Sequence, residues 1–235
     1  MRKAVSQLWR WCAYALAVLV VGFALYQGWF LAHIVYWVDH DPATTRLMGA
    51  RLADLKAKNP QVRLEHRWMP YDRISAQLKR AIVVAEDAKF VDHEGFDWEG
   101  IQRAMEKNQR QGKIVAGGST ITQQLAKNLF LSGERSVWRK AQEAVITAML
   151  EAAMDKRRIL EIYLNVVEWG EGIFGAEAAA RHYFGVSAAA LTAAQSARLA
   201  AMLPRPRFYH RNPDSQYLAR YAETILARMP GAQLP

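Results

Sequence analysis

The sequence predicts an all-α domain carried behind a single membrane-spanning helix. Three observations predict it. From Trp11 to Val38 the chain has no Asp, Glu, Lys or Arg. Beyond Ile74 the apolar residues recur at helical spacing, in alanine-rich stretches joined by short Gly and Pro links. No strand-like alternation persists anywhere.

The uncharged run exceeds the roughly 20 residues that span a bilayer as a helix. Trp9 and Trp11 stand at one end, and Trp29, Tyr36 and Trp37 near the other, where interfacial aromatics belong. Arg2, Lys3 and Arg10 precede it while Asp39 and Asp41 follow, so the positive-inside rule puts the N-terminus in the cytoplasm. The run is too long for a signal-peptide core, and no small-residue cleavage site follows it. An uncleaved anchor is expected, with the remainder facing a bacterial periplasm. The formal net charge is +9, a basic excess that fits an anionic membrane, a phosphate-bearing substrate or nucleic acid equally well. The basic residues are scattered, however, and no helix carries a basic stripe interleaved with aromatics, so nucleic acid is not expected. Cys12 is the lone cysteine, which excludes an intramolecular disulfide and a cysteine metal cluster.

Residues 41–73 read as a membrane-proximal linker with a helix near Thr45–Lys58, and residues 74–235 as the domain proper. Its first helix carries Leu78, Ile82 and Ala85 on one side and ends in Glu86-Asp87, directly after the apolar run Ala81-Ile82-Val83-Val84-Ala85. A carboxylate there is partly desolvated and its pKa raised, which suits general acid–base work; in isolation an exposed helix end with Glu86 in water is the better reading. His93 has no second histidine at metal-ligand spacing and reads as a packed or hydrogen-bonded residue. The stretch from Trp98 is a polar helix to about Lys113, and together with the residues up to Ala116 forms a candidate flap.

Gly117-Gly118-Ser119-Thr120 then opens a helix. Thr120, Gln124 and Lys127 follow at i, i+4 and i+7, and so share a polar face. With free N–H groups at the helix start, that face suits an anion such as phosphate. The next helix starts near Ser136 and pairs Arg139 with Glu143 at i, i+4. A helix from Asp155 is expected to end at Gly170, and Ala176–Tyr183 forms another that closes at Gly185. Leu191–Leu203 is stopped by Pro204 and Pro206, and a last helix spans roughly Asp214–Arg228.

Four of these stretches, in order, resemble the family-51 peptidoglycan glycosyltransferases. The matching residues are Glu86-Asp87-x-x-Phe90-x-x-His93-x-Gly95, then Gly117-Gly118-Ser119-Thr120-Ile121-Thr122-Gln123-Gln124-Leu125-x-Lys127-Asn128. Arg139-Lys140-x-x-Glu143 with Leu150-Glu151 comes third, and Ile159-Leu160-Glu161-x-Tyr163-Leu164-Asn165, leading to Gly170 and Gly175, comes fourth. The resemblance implies a lysozyme-like helical fold. It also implies a monofunctional polymerase that joins lipid II into β-1,4 glycan with inversion and release of undecaprenyl diphosphate. By that resemblance Glu86 is the general base and Glu143 the second glutamate. Asp87, Phe90, His93, Ser119, Thr120, Gln123, Gln124, Lys127, Asn128, Arg139 and Lys140 form the substrate-binding set. No cofactor is required, although a divalent cation such as Mg or Mn at the diphosphate is an option. The partners implied are lipid II, the growing glycan, the inner membrane and proteins of cell-wall synthesis or division. Leu129-Phe130-Leu131 and the flap are candidate lipid contacts. Two positions depart from the family pattern: Ala88-Lys89 stands where relatives carry an arginine after the acidic pair, and Gln195 replaces a late glutamate. A lytic glycosidase of the same fold, or a non-enzymatic anchored scaffold, would be the alternative uses of such a chain.

Overall fold

The computed structural model describes residues 2–113, 117–131, 133 and 136–235, which divide into two compact units, Met1–His40 and Asp41–Pro235. The first is one helix, α1 (Arg2–Asp39), whose stretch Trp9–Asp39 is long and apolar enough to cross a membrane. Large apolar side chains along it, from Trp9 through Leu25, are exposed, an arrangement that water would penalise and lipid would not.

The second unit holds α2 (Arg46–Lys56), α3 (Ala76–Glu86), α4 (Trp98–Gln111), α5 (Ile121–Phe130), α6 (Val137–Ala153) and α7 (Lys156–Val166). These are followed by α8 (Ala176–Phe184), α9 (Ala193–Met202), α10 (Pro206–Arg211) and α11 (Gln216–Arg228). Hydroxyl or carboxylate caps start most of them: Thr45, Ser75, Asp97, Thr120, Ser136, Asp155 and Thr192 each accept a first-turn N–H. Helix α9 packs between α3 and α11, while α5 packs on α6, α7 and α2. Trp169, fully buried, joins the two groups by donating its indole N–H to Leu199 O at 3.0 Å.

Three departures from the sequence reading concern strands and helix ends. Gly170 does not end a helix: α7 stops at Val166, and Gly170 lies in a short strand. Strands β1 (Glu65–His66), β2 (Glu168–Gly170) and β3 (Ile173–Phe174) make a small sheet in the order β1-β3-β2, β1 parallel and β2 antiparallel to β3. Two- and three-residue strands are too short to show a period of two. Pro206 opens α10 instead of only closing α9, since proline suits the first turn of a helix. The stretch 41–73 contributes α2 and β1 to the same compact unit as the rest.

Asn165 ties β1's segment to α7. Its side chain accepts from Met69 N–H at 2.8 Å and donates to Met69 O and Glu161 O, both at 2.9 Å, while fully buried. The sheet is thereby placed beside the cleft described next.

Candidate active site

The apolar face of α3 (Leu78, Ala81, Ile82) is sunk in the core, so the helix delivers Glu86 at its last turn with protein on most sides. Burial pushes the Glu86 carboxyl above its ordinary value, and Asp87 adds to this; a hydrogen bond from Gln124 and the charge of Lys127 pull part of the way back. Gln124 Nε2 donates to Glu86 Oε2 at 2.7 Å, and Tyr163 Oη donates to Gln124 Oε1 at 3.0 Å. Tyr163 is fully buried and its hydroxyl holds its proton far above the normal range. It donates to the Gln124 oxygen, and the Gln124 amide nitrogen faces Glu86.

Behind Glu86 lies a scaffold. Asp87 accepts the Ile121 N–H at 3.1 Å and faces His93 Nε2 at 2.9 Å, while His93 Nδ1 accepts from Gly95 N–H at 3.1 Å. With Nδ1 accepting, the proton sits on Nε2 and goes to Asp87. Thr120 donates its hydroxyl to Gly95 O at 2.7 Å and forms a capping box with Gln123. Gly95 has φ +84°, and a Cβ there would lie 2.7 Å from Thr147 Cγ2, so only glycine fits the turn. Phe90 is fully buried with the Lys156 ammonium 4.7 Å above its ring.

This corrects two expectations. The start of α5 is not a free anion site, because Asp87 and Thr120 already occupy the N–H groups of Ile121 and Gln123. Thr120 is also buried in its cap, so only Gln124 and Lys127 of the expected polar face reach the open cleft. Phe90, His93, Asp87 and Thr120 build the site from behind; Asp87 and Thr120 line only a small side groove that Glu86 shares.

The main cleft measures about 460 Å³. Ser119, Gln123, Gln124, Lys127 and Asn128 line one part of it, and Arg139, Lys140 and Glu143 of α6 another. Glu143 is buried and accepts from Arg139 Nη1 at 2.8 Å and from Lys140 Nζ. Desolvation lowers the pKa of Lys127, with Glu143 and Glu86 drawing it up and Arg139 and Lys140 pressing it down. Three cations thus face one carboxylate, leaving a positive excess. Arg139 Nε is buried without a protein partner among the described residues, a donor left over for an anion. Both Glu143 oxygens are engaged, and no cluster of three or more His, Cys, Asp or Glu suited to a metal occurs among the described residues. The described residues thus hold no ready-made protein ligand set for a divalent ion.

A site built this way, with a desolvated carboxylate at one end and a cationic cluster at the other, matches what sequence comparison finds. The transglycosylase family profile matches residues 53–230. A biosynthetic peptidoglycan transglycosylase of Methylobacillus flagellatus is 59% identical over 232 residues, 98% of this chain and 100% of that protein. Proteins of the same description from Chromobacterium violaceum and Dechloromonas aromatica are 57% and 58% identical, covering 94% and 97% of this chain and 96% and 99% of theirs. The chain belongs to the peptidoglycan transglycosylases. It is a glycosyltransferase of the lysozyme-like helical kind.

Membership makes the departures easier to weigh. Gln195 accepts the Thr192 N–H at 3.0 Å and completes a capping box on α9. Glutamate makes the same bond, so the substitution changes no contact of this cap. Lys89 pairs with Glu99 at the surface. Three residues beside the site escaped the sequence reading: Tyr163, quoted only as part of a motif, and Arg51 and Glu168, which line the cleft from α2 and β2. Tyr163 carried a motif signal but no sign of its partner; Arg51 and Glu168, 117 residues apart, carried none.

Proposed function

We propose that the chain polymerises peptidoglycan from lipid II, with Glu86 as the base and the Lys127–Arg139–Lys140 cluster as the diphosphate site. Glu86 takes the proton from the acceptor's 4-hydroxyl as that oxygen attacks the anomeric carbon of the growing chain. The bond to the diphosphate breaks, and undecaprenyl diphosphate leaves. An α link becomes a β link in one inverting displacement, without a covalent enzyme intermediate. A carboxyl whose pKa is raised is the stronger base, and the Gln124 hydrogen bond holds it in place. Charge developing on the leaving diphosphate meets cations already fixed by Glu143, which is where electrostatic stabilisation is most effective. The observation that carries the reading is the Tyr163–Gln124–Glu86 chain beside that cluster.

The anchor follows from the substrate, whose undecaprenyl tail lies in a membrane. We place α1 across the inner membrane with Arg2, Lys3 and Arg10 on the cytoplasmic side and the catalytic unit in the periplasm. Leu129 is buried and so is not a lipid contact; Trp98 and Met105 of α4 and Val137 and Trp138 of α6 are among the exposed apolar side chains, with Val145, Phe208, Tyr217 and Leu226. Residues 114–116 of the flap lie outside the described residues. Proteins of cell-wall synthesis or division remain the partners of such an enzyme.

The test uses the full chain in detergent with purified lipid II, alongside Glu86→Gln. Polymer from the parent and none from the variant supports both assignments. Cleavage of preformed glycan without polymer would move the chain to lytic chemistry, and polymer from both would remove Glu86 as the base.

A further inference from the structure

The cleft has a second polar wall that the assignments above leave idle. Arg51 of α2 and Glu168 of β2 both line it, and Arg51 Nε donates to Glu168 Oε2 at 3.1 Å. Glu168 is only 5% exposed, and its other oxygen, Oε1, has no hydrogen-bond partner among the described residues. Burial raises its pKa, opposed by the nearby charges of Arg51 and Arg207. A buried carboxylate with one oxygen unsatisfied is costly to keep. Glu143, in the same cleft, has both oxygens bound.

Two buried polar atoms in this cleft therefore lack partners, and they are of opposite kind. Arg139 Nε is a donor within the cationic cluster; Glu168 Oε1 is an acceptor on a residue of the other wall. An anion satisfies the first and is repelled by the second. A ligand satisfying both must carry an anionic group and, separately, neutral O–H or N–H donors. A diphosphate-linked N-acetylated sugar has both.

We infer that the Arg51–Glu168 pair is the sugar-contacting wall of the cleft: Arg51 fixes Oε2, and Oε1 accepts a hydrogen bond from a hydroxyl or acetamido N–H of the bound substrate. This rests on lipid II being the substrate. The pairing also explains why a charged residue of α2 reaches the cleft.

The experiment measures affinity for lipid II in detergent, in the Glu86→Gln background so that no turnover intervenes, and competition by inorganic diphosphate. Adding Glu168→Gln, whose amide is held oxygen-first by Arg51, turns a donor toward the sugar. Lipid II affinity is expected to fall about tenfold, as loss of one hydrogen bond to a charged group predicts, while competition by diphosphate stays within about twofold. In the Glu86-intact chain the same change raises KM and leaves kcat within about twofold. If Glu168→Gln does not fold, Arg51→Lys is read the same way, with the same selective pattern expected. Unchanged lipid II affinity, or a parallel loss of diphosphate competition showing that the wall merely collapsed, would overturn the inference. Polymer formation by the parent with unchanged affinity in the variant removes this inference alone; no lipid II binding by the parent removes both it and the polymerase reading.

Discussion

Glu86 in the side groove and Glu143 in the main cleft are two carboxylates of one site with opposite surroundings. Among the described residues Glu86 has one neutral hydrogen-bond donor, Gln124, and no ion pair, so burial dominates and its affinity for a proton rises. Glu143 is bound at both oxygens by cations, so its charge is already spent on Arg139 and Lys140. A carboxylate deprived of countercharge can take a proton; one saturated with countercharge can hold other groups in position. Ion pairing, more than burial, separates their roles.

Each prediction breaks one side of that comparison. Glu86→Gln, which leaves the cationic cluster intact, should lower kcat for lipid II polymerisation by about 10³-fold with little change in substrate affinity. It should also melt higher than the parent at neutral pH. The folded carboxyl keeps its proton to a higher pH than the unfolded one, so stability is lost as pH rises above the ordinary value of 4.5, and the variant escapes that loss. The gap in melting temperature should close at acidic pH. Glu143→Gln should cost on the order of 10- to 100-fold in kcat/KM by releasing Arg139 and Lys140, together with weaker competition by inorganic diphosphate. Equal effects of the two substitutions on diphosphate binding would erase the distinction.

Gln124→Ala sharpens it through pH. Activity requires ionised Glu86, so rate falls as pH drops through its raised pKa; without the Gln124 bond, which favours the charged form, the acid limb of the pH–rate profile should move to higher pH. A limb that stays put would disconnect Gln124 from the base. Tyr163→Phe should reduce kcat only several-fold, roughly the value of one neutral hydrogen bond. Gln195→Glu, in the α9 cap, should shift stability by less than about 0.5 kcal/mol and leave activity unchanged.

The helices were legible because their signals are local: starts at Thr120, Ser136 and Asp155, and apolar spacing such as Leu78–Ile82. The short strands were not, since pairing Glu65 with Ile173 depends on residues far apart in sequence. Within the site, Glu86, Gln124, Lys127, Arg139 and Glu143 could be named because they sit inside contiguous motifs that resemble the family's, where spacing alone reads equally as a solvated surface. The division between residues that line the cleft and residues that support it could not. Thr120 and Lys127 look equally polar on one helical face, and only the position of the cap buries the first. Arg51 and Glu168 were invisible for the same reason as the sheet: a helix and a strand from distant stretches bring them together.

The fixed orientation of the Gln124 amide has a consequence for timing. An amide free to rotate would present its oxygen to Glu86 for part of each interval between reactions, and substrate arrival would have to turn it. Here the buried Tyr163 hydroxyl already holds the amide oxygen and the nitrogen already faces Glu86, before any sugar arrives. No turnover has to begin with that rotation, and the base meets every acceptor in the same pose.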